Sequence, residues 1–147
     1  MSVQKYFTEE NKLQITNAIR VAETNTSGEI RVHIESKCKG DVLDQAAYVF
    51  EKLEIHKTKL RNGVLFYLAI NDNKFAILGD AGINQKVPED FWESIKEEVV
   101  SKFKEGLYSV GLAEGIVKAG EQLKTHFPYQ DDDVNELTDE ISFGETK

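Results

Sequence analysis

The chain has 147 residues, 40% hydrophobic and 30% charged, with a net charge of −8 and one cysteine. A chain of that length is one domain that buries roughly 70% of its unfolded surface, so it needs no disulfide or metal staple to fold. No stretch approaches the ~18 apolar residues of a membrane span, and no basic patch is present to neutralise phosphates, so nucleic-acid binding is not expected.

The charge is unevenly placed. Residues 129–147 hold seven acids against one base, so most of the net charge is in that tail and residues 1–128 are close to neutral. The first ten residues lack the basic-then-apolar pattern of a signal peptide, and as given the chain reads as cytoplasmic.

Taken in order, Thr8 is the N-cap of a first helix, with Glu9 and Glu10 in its first turn and Ile15, Ala18, Ile19 and Ala22 on its apolar face. Residues 25–28, Asn-Thr-Ser-Gly, stop it. From Glu29 to Ser36 the pattern alternates: Ile30, Val32 and Ile34 face a core, while Glu29, Arg31, His33 and Glu35 face away. His33 therefore reads as solvated, and Cys38, between Lys37 and Lys39, as an exposed thiol. Gly40-Asp41 opens a second helix with Leu43, Ala46, Ala47, Phe50 and Leu53 inward.

Residues 63–70 are an unbroken apolar run, as expected for a strand buried on both faces. Asn71-Asp72-Asn73 is turn chemistry, and a second apolar run then ends in Gly79-Asp80-Ala81-Gly82. Together they predict a buried hairpin. Ile83–Val87 reads as a short edge strand. Pro88, Glu89 and Asp90 open a third helix carrying Phe91, Ile95, Val99 and Phe103, and Gly106 ends it. A fourth helix carries Leu112, Ile116, Ala119 and Leu123 and closes at Pro128. Its glycines, Gly111, Gly115 and Gly120, each cost about 1 kcal/mol relative to alanine, a cost offset by close packing against the sheet. Residues 129–147 read as an acidic, disordered tail. The order predicts an α/β protein: a three-layer α/β/α sandwich around a mixed three- or four-stranded sheet, its first two strands parallel and its second and third antiparallel.

Several pieces in this order resemble the TPM domain family, which includes thylakoid-lumen phosphatase-like, photosystem II repair and many bacterial envelope proteins. They are Ser27-Gly28-Glu29-Ile30-Arg31-Val32, the helix with Ala46, Ala47 and Phe50, His56 through Leu65, and Gly79-Asp80-Ala81-Gly82-Ile83. Phe91-Trp92, Gly111-Leu112 and Gly115-Ile116 complete the set. The resemblance spans about Thr8 to Pro128 and implies an α/β/α sandwich. It also implies two activities, an acid phosphatase and divalent-cation binding, calcium in particular. The chain lacks the signal peptide, anchor and glycine-rich tail of many relatives and resembles a stand-alone domain.

Most catalytic signatures are absent: no nucleophile elbow, phosphate loop or dinucleotide fingerprint. The three histidines, His33, His56 and His126, have no zinc-type spacing. His56 reads as a loop anchor. Asp131-Asp132-Asp133-Val134-Asn135 starts like a calcium loop, but Glu136 stands where glycine is needed and Ser142 where the bidentate glutamate belongs. Geometry offers more. Glu29 begins the first strand, Asn62 precedes the second, parallel strand, and Asp80 ends the antiparallel third, so all three lie at one end of the sheet. Asn84, Glu89 and Asp90 follow nearby. Carboxylate and amide oxygens from separate segments suit a hard divalent cation such as calcium. The competing explanation is that Asp80 and Asn62 cap turns. A rival corner at the other end holds Asn71, Asp72, Asn73, Asp41 and Asp44.

Three functions follow as expectations. The first is a calcium-binding domain whose ion ties together the loops at one end of the sheet. The second is a metal-assisted acid phosphatase with Asp80 or a neighbour as general base. The third is an interaction module that offers a protein partner its acidic tail or helical face.

Overall fold

The computed structural model describes residues 7–24, 26–88, 90–128 and 138–144. Strands β1 (Glu29–Glu35), β2 (Gly63–Ala69) and β3 (Lys74–Gly79) are interleaved with helices α1 (Glu9–Glu23) and α2 (Val42–Lys52). Then come α3 (Ala81–Asn84), α4 (Phe91–Lys104), α5 (Tyr108–His126) and the two-residue strand β4 (Ser142–Phe143). The sheet order is β3-β2-β1-β4. β1 and β2 are parallel and β2 and β3 antiparallel, as the sequence predicts.

All seven residues of β2 are buried, because helices cover both faces of the sheet. Val64, Phe66 and Leu68 join Ile30, Val32 and Ile34 of β1 in a large core with α1, α4 and α5. Leu65, Tyr67 and Ala69 face the other way, into a smaller core under α2. This is the predicted three-layer sandwich.

Local chemistry explains where the elements begin and end. The Thr8 side chain accepts from the Asn11 amide and the Asn11 side chain accepts from the Thr8 amide, a reciprocal cap on α1 worth about 1 kcal/mol. Asp41 caps α2 in the same sense. Asn73 turns the β2–β3 hairpin at φ 54°, and Gly106 at φ 79° separates α4 from α5.

Four expectations need correction. Residues 83–87 form no strand: Ala81–Asn84 is a helical turn capped by Asp80, because a capping carboxylate followed by Ala-Gly-Ile-Asn favours a turn over an extended edge. The fourth strand is Ser142–Phe143, from the segment expected to be disordered. It pairs parallel with β1 at His33 and Ile34 and brings Ile141 and Phe143 against the core. Residues 129–137, with the calcium-loop-like acids, lie outside the described residues. The inward face of α2 is Ala46 and Val49 with Phe50 and Leu53 packed against the same core, so of the expected face only Leu43, 53% exposed, and Ala47 lie outside. Cys38 is buried at 2% exposure rather than presented as a surface thiol, since Asp72 accepts from its amide and draws the segment under α2.

The glycines of α5 serve mainly helix–helix contacts. A Cβ on Gly111 or Gly115 would press on Val99 of α4, and one on Gly120 would lie 2.5 Å from Cβ and 2.8 Å from Cα of Ala22 in α1. Gly120→Ala is therefore expected to lower stability by about 1–3 kcal/mol through overpacking, although the same change would favour an isolated helix by about 1 kcal/mol. Urea unfolding of the variant checks the sign: a midpoint at or above that of the native chain would show that α1 and α5 can move apart freely.

Candidate functional site

The loop entering β2 organises one end of the sheet. Arg61 adopts a left-handed backbone at φ 52°, and its carbonyl accepts from the Gly82 amide at 2.9 Å. The next two carbonyls do the same work: Asn62 O accepts from Glu29 N at 3.2 Å and Gly63 O from Asp80 N at 3.0 Å. Three consecutive carbonyls thus tie the starts of β1 and α3 and the end of β3 to a single loop. Gly82 is required there, because a Cβ would lie against Leu60 O and 2.6 Å from Arg61 O.

The expected cluster is brought together in part. Glu29, Asn62 and Asp80 are 3%, 2% and 5% exposed and lie at the same end of the sheet. The side chains of Asp80 and Asn62 are engaged, however. Both oxygens of Asp80 accept from Arg61, from Nε at 2.7 Å and Nη2 at 2.8 Å, and one also caps the Ala81 amide at 2.7 Å. The capping role and the ion pair therefore coexist in one carboxylate. The Asn62 amide approaches Ser27 Oγ at 3.4 Å. Asn84 bridges Gly79 O and Trp92 Nε1. Asp90 is exposed ahead of α4. Glu89 lies outside the described residues. Among those described, no three of His, Cys, Asp and Glu are arranged to hold a metal ion.

Two acids at this end were not legible in the sequence. Glu23, in the last turn of α1, accepts from the Ile30 amide at 2.8 Å, a donor on the β1 edge. It also hydrogen-bonds Asp139, and the two carboxyls share one site beside the charge of Glu29. Arg20 approaches Asp139 at 3.9 Å. Only the return of the C-terminal segment places Asp139 there, and no periodicity announces that return.

The other end of the sheet holds structural anchors. Asp72 Oδ2 accepts from Cys38 N at 2.8 Å, and Lys74 Nζ donates to the carbonyls of Cys38 and Gly40. Asp41 caps α2.

The sequence matches the TPM domain over residues 2–122. The chain belongs to the TPM domain family. A solved structure with a similar fold is the BA42 protein of the psychrophilic bacterium Bizionia argentinensis. It is 46% identical, the match covers 97% of this chain and 98% of that one, and the TM-score is 0.90. An N-terminal domain from P. gingivalis is 16% identical over 85% of this chain and 81% of its own, with TM-score 0.68. One from the cg2496 protein of Corynebacterium glutamicum is 12% identical over 98% and 84%, with TM-score 0.63. At that identity the last two show the fold alone. No protein of curated function matches.

In this TPM domain the polar face of β1 is an internal network. His33, expected to be solvated, is 7% exposed. Its Nδ1 meets Ser142 Oγ at 2.9 Å, its Nε2 meets Glu35 Oε1 at 3.1 Å, and its ring stacks on Tyr67 at 5.9 Å. Glu35 also accepts from the Tyr67 hydroxyl and from Gln45 Nε2. β4 covers His33, so the polar residue became buried only when its partner segment arrived. The Nδ1 of His56 is buried without a hydrogen-bond partner among the described residues, so the expected loop anchor is not made through that atom.

Glu23 and Glu35 titrate in opposite senses. Burial pushes Glu23 up to about 9, with the Asp139 carboxyl adding to the shift and the Ile30 amide opposing it. Burial also acts against ionised Glu35, but hydrogen bonds from His33, Tyr67 and Gln45 outweigh it and hold the group below its ordinary value. The folded chain thus keeps the Glu23 proton where the unfolded chain releases it, near 4.5. The Glu23 contribution to stability is complete below that pH and falls as pH rises toward about 9. The Glu35 contribution is present above 4.5 and is lost as pH falls through its depressed folded value. Glu23→Gln is expected to gain stability relative to the native chain between pH 5 and 9. Glu35→Gln is expected to lose stability at pH 7, by an amount that shrinks in acid. Urea midpoints across that pH range check both; parallel profiles for native chain and variants would refute the assignments.

Proposed function

We propose that this TPM domain binds a divalent cation, calcium by the hardness of its oxygen donors, at the end of the sheet where β1 begins and β3 ends. The observation that supports this most directly is the placement of the Glu23 carboxyl, which accepts from the Ile30 amide at 2.8 Å, beside the acids Asp139 and Glu29, whose charges oppose its ionisation. Crowded carboxyls are relieved either by a proton or by a divalent ion. Asn62 adds a buried amide oxygen nearby. Asp80 joins only if Arg61, whose side chain is 52% exposed, gives up its two hydrogen bonds to that carboxylate.

No cage of three ligands stands ready among the described residues, so uptake of the ion is coupled to loss of the Glu23 proton. Affinity then rises with pH, and binding releases a proton. The ion would contribute charge neutralisation. The chain's own residues do the rest: Glu23 keeps the Ile30 edge amide satisfied, and the 61–63 carbonyls hold the surrounding loops. Metal-assisted phosphomonoester hydrolysis has less support. Both oxygens of Asp80, its expected base, are engaged, and Arg61, the nearest fixed cation, is spent on that carboxylate. The third reading, partner binding through the acidic tail, has lost part of its segment, since residues 142–143 are paired with β1.

Calcium at one hundred times its Kd is expected to stabilise the fold by about 2.7 kcal/mol, seen as a rise in Tm that a chelator reverses. Titration calorimetry in buffers of differing ionisation enthalpy should report the released proton. Glu23→Gln and Asn62→Ala should weaken binding, the former more, and Asp72→Ala at the opposite end should leave it unchanged. No Tm shift at millimolar calcium would overturn the reading, and loss of binding in Asp72→Ala alone would move the site to the other end.

A further inference from the structure

A cavity of about 720 Å³ opens at the end of the sheet away from Glu29, between the α4–α5 corner and the start of β3. It lies beyond the carboxyl end of β2, where the run of parallel strands stops, the usual place for a ligand in an open α/β sheet. Its volume is that of a small-molecule pocket, for which roughly 300–1,000 Å³ is common.

The walls divide by chemistry. Leu68, Phe75, Val100, Phe103 and Tyr108 form an apolar surface. Phe103 meets Phe75 edge to face at 5.2 Å and Tyr108 at 5.2 Å, so the aromatic wall is fixed by its own packing. Around it stand Lys74, Lys96 and Lys104, and among the described residues no acid lines the cavity. Lys96, Val100 and Lys104 recur at intervals of four along α4 and so share one face of the helix. The Lys74 ammonium is held in place by the carbonyls of Cys38 and Gly40. Lys96 and Lys104 make no ion pair among the described residues; they also border the adjoining groove, which Glu93 and Glu97 line.

Three lysines stand around one apolar concavity, and the carboxylates of Glu93 and Glu97 line the adjoining groove rather than this one, so positive charge is concentrated here in a chain of net charge −8. Like charges gathered at one place repel, and an anion relieves the repulsion. The geometry points to a binding site for an amphipathic anion. Its alkyl or aromatic body lies on Phe75, Phe103 and Tyr108, and its carboxylate sits among Lys74, Lys96 and Lys104. The site is independent of the cation corner at the opposite end of the sheet.

Decanoate is the probe, followed by amide chemical shifts of the full chain. It should saturate, with the largest shifts at Phe75, Val100 and Phe103. Decanol, which keeps the body without the charge, should bind about tenfold more weakly, and decyltrimethylammonium should not compete. The double variant Lys96→Gln/Lys104→Gln, at one partly exposed and one exposed position, should keep the native Tm and lose about tenfold in decanoate affinity. Val100→Phe, which fills the cavity, should block binding of decanoate and decanol alike. The proposal fails if decanoate and decanol bind equally, if the double variant binds as the native chain does, or if the shifts lie on another face.

Discussion

The complete burial of β2 is the constraint on which the rest depends. A strand with no exposed residue must be paired on both edges and covered on both faces. That requirement places β1 and β3 at its sides, α1, α4 and α5 on one face, and α2 on the other. The loop entering such a strand cannot be slack either. Arg61, Asn62 and Gly63 offer three carbonyls in a row to amides from three other segments. Arg61 adopts a left-handed backbone to do so and also clamps Asp80. The polar corner of this TPM domain is therefore part of its architecture first, and any ligand there competes with contacts that already hold the sheet together.

Much of this was readable from residue order. The apolar run of β2, the alternation of β1 and the Asn-Asp-Asn turn gave the sheet its pairing, because these signals are local. What escaped was set by distant segments. His33 looks like a solvated strand residue until Ser142 arrives from 109 positions away and pairs with it. Glu23 looks like an ordinary last-turn acid until Asp139 reaches it. On α2, Ala46, Phe50 and Leu53 face inward as expected, while Leu43 and Ala47, apolar by composition, lie on the outside. The six expected metal ligands show the same division. The topology brings Glu29, Asn62 and Asp80 to one end as expected, while the group that engages Asp80 is Arg61, 19 positions earlier, whose reach no local pattern announces.

The two ends of the sheet differ in electrostatic character. At one, acids are crowded and held by a proton, an edge amide and one arginine. At the other, three lysines stand around an aromatic wall while Asp72 and Asp41 are committed to backbone amides. A near-neutral body thus hides a separation of charge along the strand direction, which the overall composition does not reveal.

Trp92 is the only tryptophan in the chain. Its indole rests against Gly79, where a Cβ would come within 2.6 Å of the ring, and donates to Asn84 Oδ1 at 3.0 Å. It therefore sits one residue from the Asp80 clamp and touches the short helix that the clamp caps. The fold carries a built-in optical reporter at its polar corner: loosening of the β3–α3 junction changes the polarity and quenching around one fluorophore, with no label and no background from a second.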